Sequence, residues 1–243
     1  MPARSDQFLH TALQQGDIDL KGQFLLGSNY TFLVTVRHEG QEFPAVYKPS
    51  KGEQPLWDFP VASLAGREVA AYLVSEALGW YFAPFTVLRA DGPLGPGSLQ
   101  EFIEYDPNYH FFTFNEADRA RLRPVALFDL LINNADRKGS HVIIEKGTAR
   151  LWLIDHGLCF HAEDKLRTVI WDFAGEAIPS DHLSALEGLR TDLSTPNGLR
   201  TALEPYLTAG EIAALDARAA RLLALPVFPL PPEGRRAYPY PPL

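Results

Sequence analysis

Two aspartates bracket a short hairpin in the middle of the chain, and this constrains the fold more than any other feature. Asn133-Asn134-Ala135-Asp136-Arg137-Lys138-Gly139-Ser140-His141 is a polar loop and Val142-Ile143-Ile144 a strand-like run. A second run, Leu151-Trp152-Leu153-Ile154, ends in Asp155-His156-Gly157. A hairpin between the carboxylates folds the chain back, so both can face one cavity. Two carboxylates beside a cavity can hold a divalent cation and orient a hydroxyl for phosphoryl transfer. Aspartate also starts turns and caps, so the pair gains meaning only together with three other features.

The first is Lys48. Tyr30-Thr31-Phe32-Leu33-Val34-Thr35-Val36 and Glu42-Phe43-Pro44-Ala45-Val46-Tyr47-Lys48 are rich in β-formers and are joined across Glu39-Gly40-Gln41, which reads as a hairpin. Side chains alternate along a strand, so Lys48 points opposite to Tyr47 and can enter a cleft. A lone strand lysine is otherwise a surface residue. The second is Glu68. Residues 63–80 have helical periodicity, with Leu64, Val69, Tyr72, Leu73 and Leu78 apolar. Glu68 falls on or beside that stripe, where an unpaired carboxylate is costly. Lys48 is its natural partner; an exposed glutamate at the stripe's edge is the alternative. The third is Gly27-Ser28-Asn29, small residues that join two β-like runs and let a backbone approach an anion.

The order of these parts resembles the protein-kinase-like superfamily, and within it the phosphatidylinositol 3/4-kinase-related branch. The likeness covers roughly residues 20–180. It implies an α+β, bilobal protein-kinase-like fold with an antiparallel-sheet N-lobe and a mostly helical C-lobe. It also implies an ATP-dependent, metal-assisted phosphotransferase using ATP with Mg²⁺ or Mn²⁺. By that resemblance Gly27, Ser28 and Asn29 cover phosphates, Lys48 meets them, and Glu68 holds Lys48. Gln100, Glu101, Phe102 and Ile103 form a hinge that offers backbone groups to adenine. Asp136 is the catalytic-loop aspartate, Lys138 contacts the transferred phosphate, Arg137 matches the Asp-Arg pair of lipid kinases, and Asp155 binds the metal. The family places Asn five residues after the catalytic aspartate, whereas this chain has His141. An imidazole ligand there favours Mn²⁺ over Mg²⁺, which prefers oxygen. That substitution also supports a rival class, a nucleotide-binding pseudokinase or scaffold; metal-assisted hydrolysis through Asp136, His141 and Asp155 is a third.

At 243 residues, with 46% apolar and 21% charged residues, the chain can bury a substantial core. The expected division is an N-lobe over 1–104, a C-lobe over 105–225 and a Pro-rich tail over 226–243. Helices are expected over about 1–20, 116–133 and, with interruptions, 181–225. The tail is expected to be extended or disordered, with a partner-binding polyproline segment as the sharper alternative. The net charge of −8 argues against nucleic-acid partners and against docking on anionic membranes. No run of about 18 apolar residues predicts a transmembrane helix, and a cytoplasmic protein is expected. The single cysteine, Cys159, excludes an intrachain disulfide and reads as core filler rather than a nucleophile. The partners implied are a nucleotide and an unidentified acceptor: lipid, protein or small molecule.

Overall fold

The computed structural model describes residues 6–24, 30–54, 56 and 58–243. The described residues open with helix α1 (Asp6–Gln15), which ends sooner than expected because strand β1 (Asp17–Phe24) begins almost at once. Strands β2 (Thr31–His38) and β3 (Gln41–Pro49) follow, then helix α2 (Leu64–Ala77) and strands β4 (Thr86–Arg89) and β5 (Gly97–Glu101). The five strands form one antiparallel sheet in the order β1-β2-β3-β5-β4. β2 and β3 meet across Glu39-Gly40, both with positive φ, with His38 opposite Gln41. This is the two-residue turn that suits the strands' twist.

Alternation along β3 sets the layers. Phe43, Ala45 and Tyr47 are buried and join Val34, Val36 and Leu99, capped by Ala12 and Leu13 of α1. α2 faces the other way as well: its Ala70, Ala71 and Val74 belong to the larger core of the helical half. That core gathers α4 (Arg123–Ile132), α5 (Ser180–Ser194), α6 (Leu199–Leu203) and α7 (Ala209–Ala224). The expected helix over 116–133 is two helices, α3 (Glu116–Ala120) and α4, broken at Arg121-Leu122 ahead of Pro124. Proline lacks an N–H and fits only the first turn of a helix, so it starts α4 rather than continuing α3.

β6 (Val142–Ile144) and β7 (Leu151–Leu153) form the expected hairpin. Its Ile143 and Trp152 pack on Ile103, a small apolar contact between the sheet half and the helical half. The architecture is thus α+β, an antiparallel sheet set on a mostly helical body. The segment after Pro226 has no regular secondary structure, yet it is folded back on the body. The Gly175 N–H donates to the Phe228 carbonyl, the Thr168 N–H to that of Ala237, and the Gly139 N–H to that of Pro242. No helix among the described residues is long and apolar enough to cross a membrane.

Candidate active site

Because Tyr47 faces the sheet's core, Lys48 faces the cleft between the halves, where its Nζ forms an ion pair with Glu68 Oε1. The same Nζ lies 3.1 Å from Asp155 Oδ1. Glu68 is buried, and its second oxygen accepts the His156 N–H at 2.9 Å. One carboxylate on α2 therefore ties strand β3 to the Asp155-His156-Gly157 turn. α2 is anchored in turn by Arg67, which donates to the Cys159 carbonyl at 2.6 Å and pairs with Glu211 of α7. Gly157 suits this closeness: a Cβ there would stand 3.3 Å from Leu64 Cβ, tighter than an ordinary van der Waals contact.

Asp136 and Asp155 do approach one region, through a device that the spacing of motifs does not reveal. Asp129, on α4 and fully buried, receives Arg137 Nε at 2.9 Å, Asn134 Nδ2 at 3.2 Å and Thr168 Oγ1 at 3.1 Å. Arg137 also donates to the Ile154 carbonyl at 3.0 Å, next to Asp155. The Asp129–Arg137 pair thus clamps both aspartate loops from beneath. Arg137, which the resemblance matches to the Asp-Arg pair of lipid kinases, points into the interior. An aspartate within the apolar run Ala126-Leu127-Phe128-Asp129-Leu130-Leu131 was the one sequence sign of this hub. Asn134 Oδ1 accepts the Asp136 N–H at 2.9 Å, an Asx turn that presents Asp136. Lys138 Nζ lies 3.4 Å from Asp136 Oδ2.

Burial pushes the Asp136 carboxyl up to about 6, against the pull of Lys138. Burial opposes charge on Asp155 and Glu68 too, but Lys48 together with the neighbouring histidines, His141 and His156 at Asp155 and His156 at Glu68, outweighs it, and both carboxyls titrate below their ordinary range. Burial likewise opposes the Lys48 ammonium and is outweighed by Asp155 and then Glu68, so its pKa is raised. His141 Nε2 stands 3.3 Å from Asp155 Oδ2, and burial lowers its pKa to about 4. Its imidazole is neutral near pH 7. Among the described residues no three His, Cys, Asp or Glu side chains gather as a metal cluster. Asp155 and His141 form a pair, not a cage. Cys159 is buried and its thiol is pushed well above the usual range, as expected of core filler.

Gln100 and Glu101 lie in β5 between β3 and β4, and Gln100 Nε2 donates to Thr86 Oγ1 at 2.8 Å. Their positions in mid-sheet leave Phe102 and Ile103, just beyond the strand, as the residues whose peptide groups bond to no other described backbone group. Gly27, Ser28 and Asn29 lie outside the described residues.

No family model matches the sequence. A curated relative, Protein Rv2133c of Mycobacterium tuberculosis (strain ATCC 25618 / H37Rv), is 40% identical over 99% of this chain and 97% of its own length. The crystal structure of a Helicobacter pylori proinflammatory kinase, CtkA, superposes with a TM-score of 0.54 over 88% of this chain and 94% of that one. At 12% identity this likeness shows the fold, which is protein-kinase-like.

Proposed function

The chain belongs to the same family as Protein Rv2133c, and we propose that it is an ATP-dependent phosphotransferase that acts on a hydroxyl acceptor. One observation carries the reading: Lys48 stands between Glu68 and Asp155, joining the sheet, α2 and the Asp155 turn at one point. A cation fixed there by a buried carboxylate is suited to orient nucleotide phosphates. Phe102 and Ile103 offer peptide groups to the base. Asp136 accepts the proton of the attacking hydroxyl, and Lys138 supports the charge that develops on the transferred group. The γ-phosphoryl passes to the hydroxyl oxygen and ADP leaves.

The donor set beside Lys48 suits a divalent cation that completes its shell with phosphate and water: an ionised carboxylate, Asp155, and a neutral imidazole, His141. Mg²⁺ or Mn²⁺, when bound, supplies charge neutralisation to the phosphates. Within the kinase-like fold we favour the phosphatidylinositol 3/4-kinase-related branch, on the motif order Lys48, Glu68, Asp136-Arg137, Asp155-His156-Gly157.

A second reading, nucleotide binding without turnover, is favoured by the way Lys48 and His141 already engage both oxygens of Asp155. The two readings separate in one experiment. The purified chain is incubated with γ-labelled ATP and Mg²⁺ or Mn²⁺, alone and with candidate alcohols, beside the variants Asp136→Ala and Asp155→Ala. Transfer of label by the wild type, absent from both variants, supports the enzyme. Thermal stabilisation by ATP with no label transferred and no ADP formed supports the binding protein.

A further inference from the structure

Asn133 ends α4 in the left-handed conformation, with φ 54° and ψ 53°. Glycine closes a helix in that conformation without strain, so the cap alone does not call for an amide. The amide is nevertheless buried, and its three hydrogen bonds all go to one later stretch of chain. Its Nδ2 donates to the His161 carbonyl at 2.8 Å and to the Glu163 carbonyl at 2.7 Å, while its Oδ1 accepts the Lys165 N–H at 2.9 Å. Both amide hydrogens are thereby used. The described residues between β7 and α5 form no helix or strand, so ties of this kind set the path of the segment. From Lys165 it runs on beside the Asp136 loop. The Arg167 N–H donates to the Asn134 carbonyl at 2.9 Å, the Arg137 N–H to the Arg167 carbonyl at 3.0 Å and the Val169 N–H to the Arg137 carbonyl at 3.2 Å. These bonds hold the loop before and after Asp136. Adding a phosphate is one way to order a segment of this kind. Here Thr168 is the one hydroxyl-bearing residue from Gly157 to Ile170, and it is buried and donates to Asp129 at 3.1 Å.

We infer that Asn133 is a positioning residue for transfer: through His161, Glu163 and Lys165 its amide fixes the segment that seats the Asp136 loop, so the chain orders this side of the cleft with a side chain of its own. This rests on the phosphotransferase reading. Asn133 touches no substrate in this role, and the Lys48–Glu68 pair is held by other elements, β3 and α2. Its loss should therefore cost turnover and spare nucleotide binding.

The test uses the full chain and follows ADP formation from ATP and Mn²⁺, with glycerol as the probe alcohol. No ADP from the wild type overturns the phosphotransferase reading and the positioning role with it. Asn133→Gly keeps the left-handed cap and removes the amide. Its kcat should fall about tenfold or more, with the affinity for AMP-PNP in Mn²⁺ changed by less than about twofold. Asn133→Asp also tolerates the cap and keeps the acceptor for the Lys165 N–H, but it loses both donors. It should show the same split, and it serves if Asn133→Gly does not fold. Hydrogen exchange reads the route: the amides of Lys165, Arg167 and Arg137 should lose protection in the variants, and that of His156, bonded to Glu68, should keep it. An active wild type with kcat unchanged in a folded variant overturns the inference. So does protection retained at Arg137 and Arg167. A merely structural role predicts that kcat and nucleotide affinity fall together, or that neither variant folds, and either result overturns it too.

Discussion

Burial holds the Asp136 carboxyl protonated up to about pH 6, and a protonated carboxyl cannot take a hydroxyl's proton. Transfer should therefore rise with pH through about 6 and level off above it. Asp136→Asn should lower kcat by about a hundredfold or more, the usual scale of general-base catalysis, with nucleotide affinity retained. A pH profile of kcat at saturating nucleotide checks this; a flat profile between 5 and 7 in the wild type would remove Asp136 as the base. At His141 the expected effect concerns the metal. His141→Asn replaces a neutral imidazole by an oxygen donor, so the ratio of ATP affinities with Mn²⁺ and with Mg²⁺ should shift toward Mg²⁺. An unchanged ratio would exclude His141 as a ligand. Lys48 and Glu68 were legible in the sequence because strand alternation and helix periodicity each fix a side chain's direction. Arg137 was not. Successive residues of an extended loop point opposite ways, and the buried Asp129 draws Arg137 inward, away from Asp136.

Between elements, the Asp129–Arg137 pair carries the geometry of both aspartate loops. Both side chains are fully buried, and removing one partner leaves an uncompensated charge in the interior. Asp129→Asn should cost about 3–5 kcal/mol of stability, read as a lower urea midpoint, and it should slow transfer by displacing Asp136 and Asp155. A surface-like cost below about 1 kcal/mol would contradict the clamp. The tail makes a similar test. Phe228 is buried and sits 5.9 Å from Phe173, ring centre to ring centre. Phe228→Ala should cost about 3 kcal/mol, whereas a free tail would make it neutral. Proline content favoured an extended or disordered reading of this segment. What escaped it is that a chain without regular structure can still fill its hydrogen bonds on a neighbour, here through the carbonyls of Phe228, Ala237 and Pro242. The hairpin β6–β7 and the sheet strands β2 and β3 were legible, because runs of β-forming residues and turn residues coincide there. The split of α3 from α4 turns on Pro124 alone, and the sequence reading carried one helix through it.

At the scale of the molecule, a five-stranded sheet and a helical body meet along α2, whose two faces serve the two cores. The cleft between them holds Lys48, Glu68 and Asp155, and its charges come from separate parts of the chain. Their convergence is a property of the fold, and it is what the motif order could signal and single motifs could not. The loop that carries Asp136 and Lys138 was less legible: main-chain bonds of Arg137 and Arg167 tie it to the segment after Gly157, which no local pattern encodes. The measurement that bears most directly on the whole is calorimetric titration of ATP in Mn²⁺ into the wild type and into Lys48→Ala, Asp155→Ala and Asp136→Ala. The expected result is saturable, metal-dependent binding that weakens sharply in Lys48→Ala and Asp155→Ala and survives in Asp136→Ala. Metal-independent binding, or equal affinity in all four proteins, would contradict a nucleotide site built on Lys48 and Asp155.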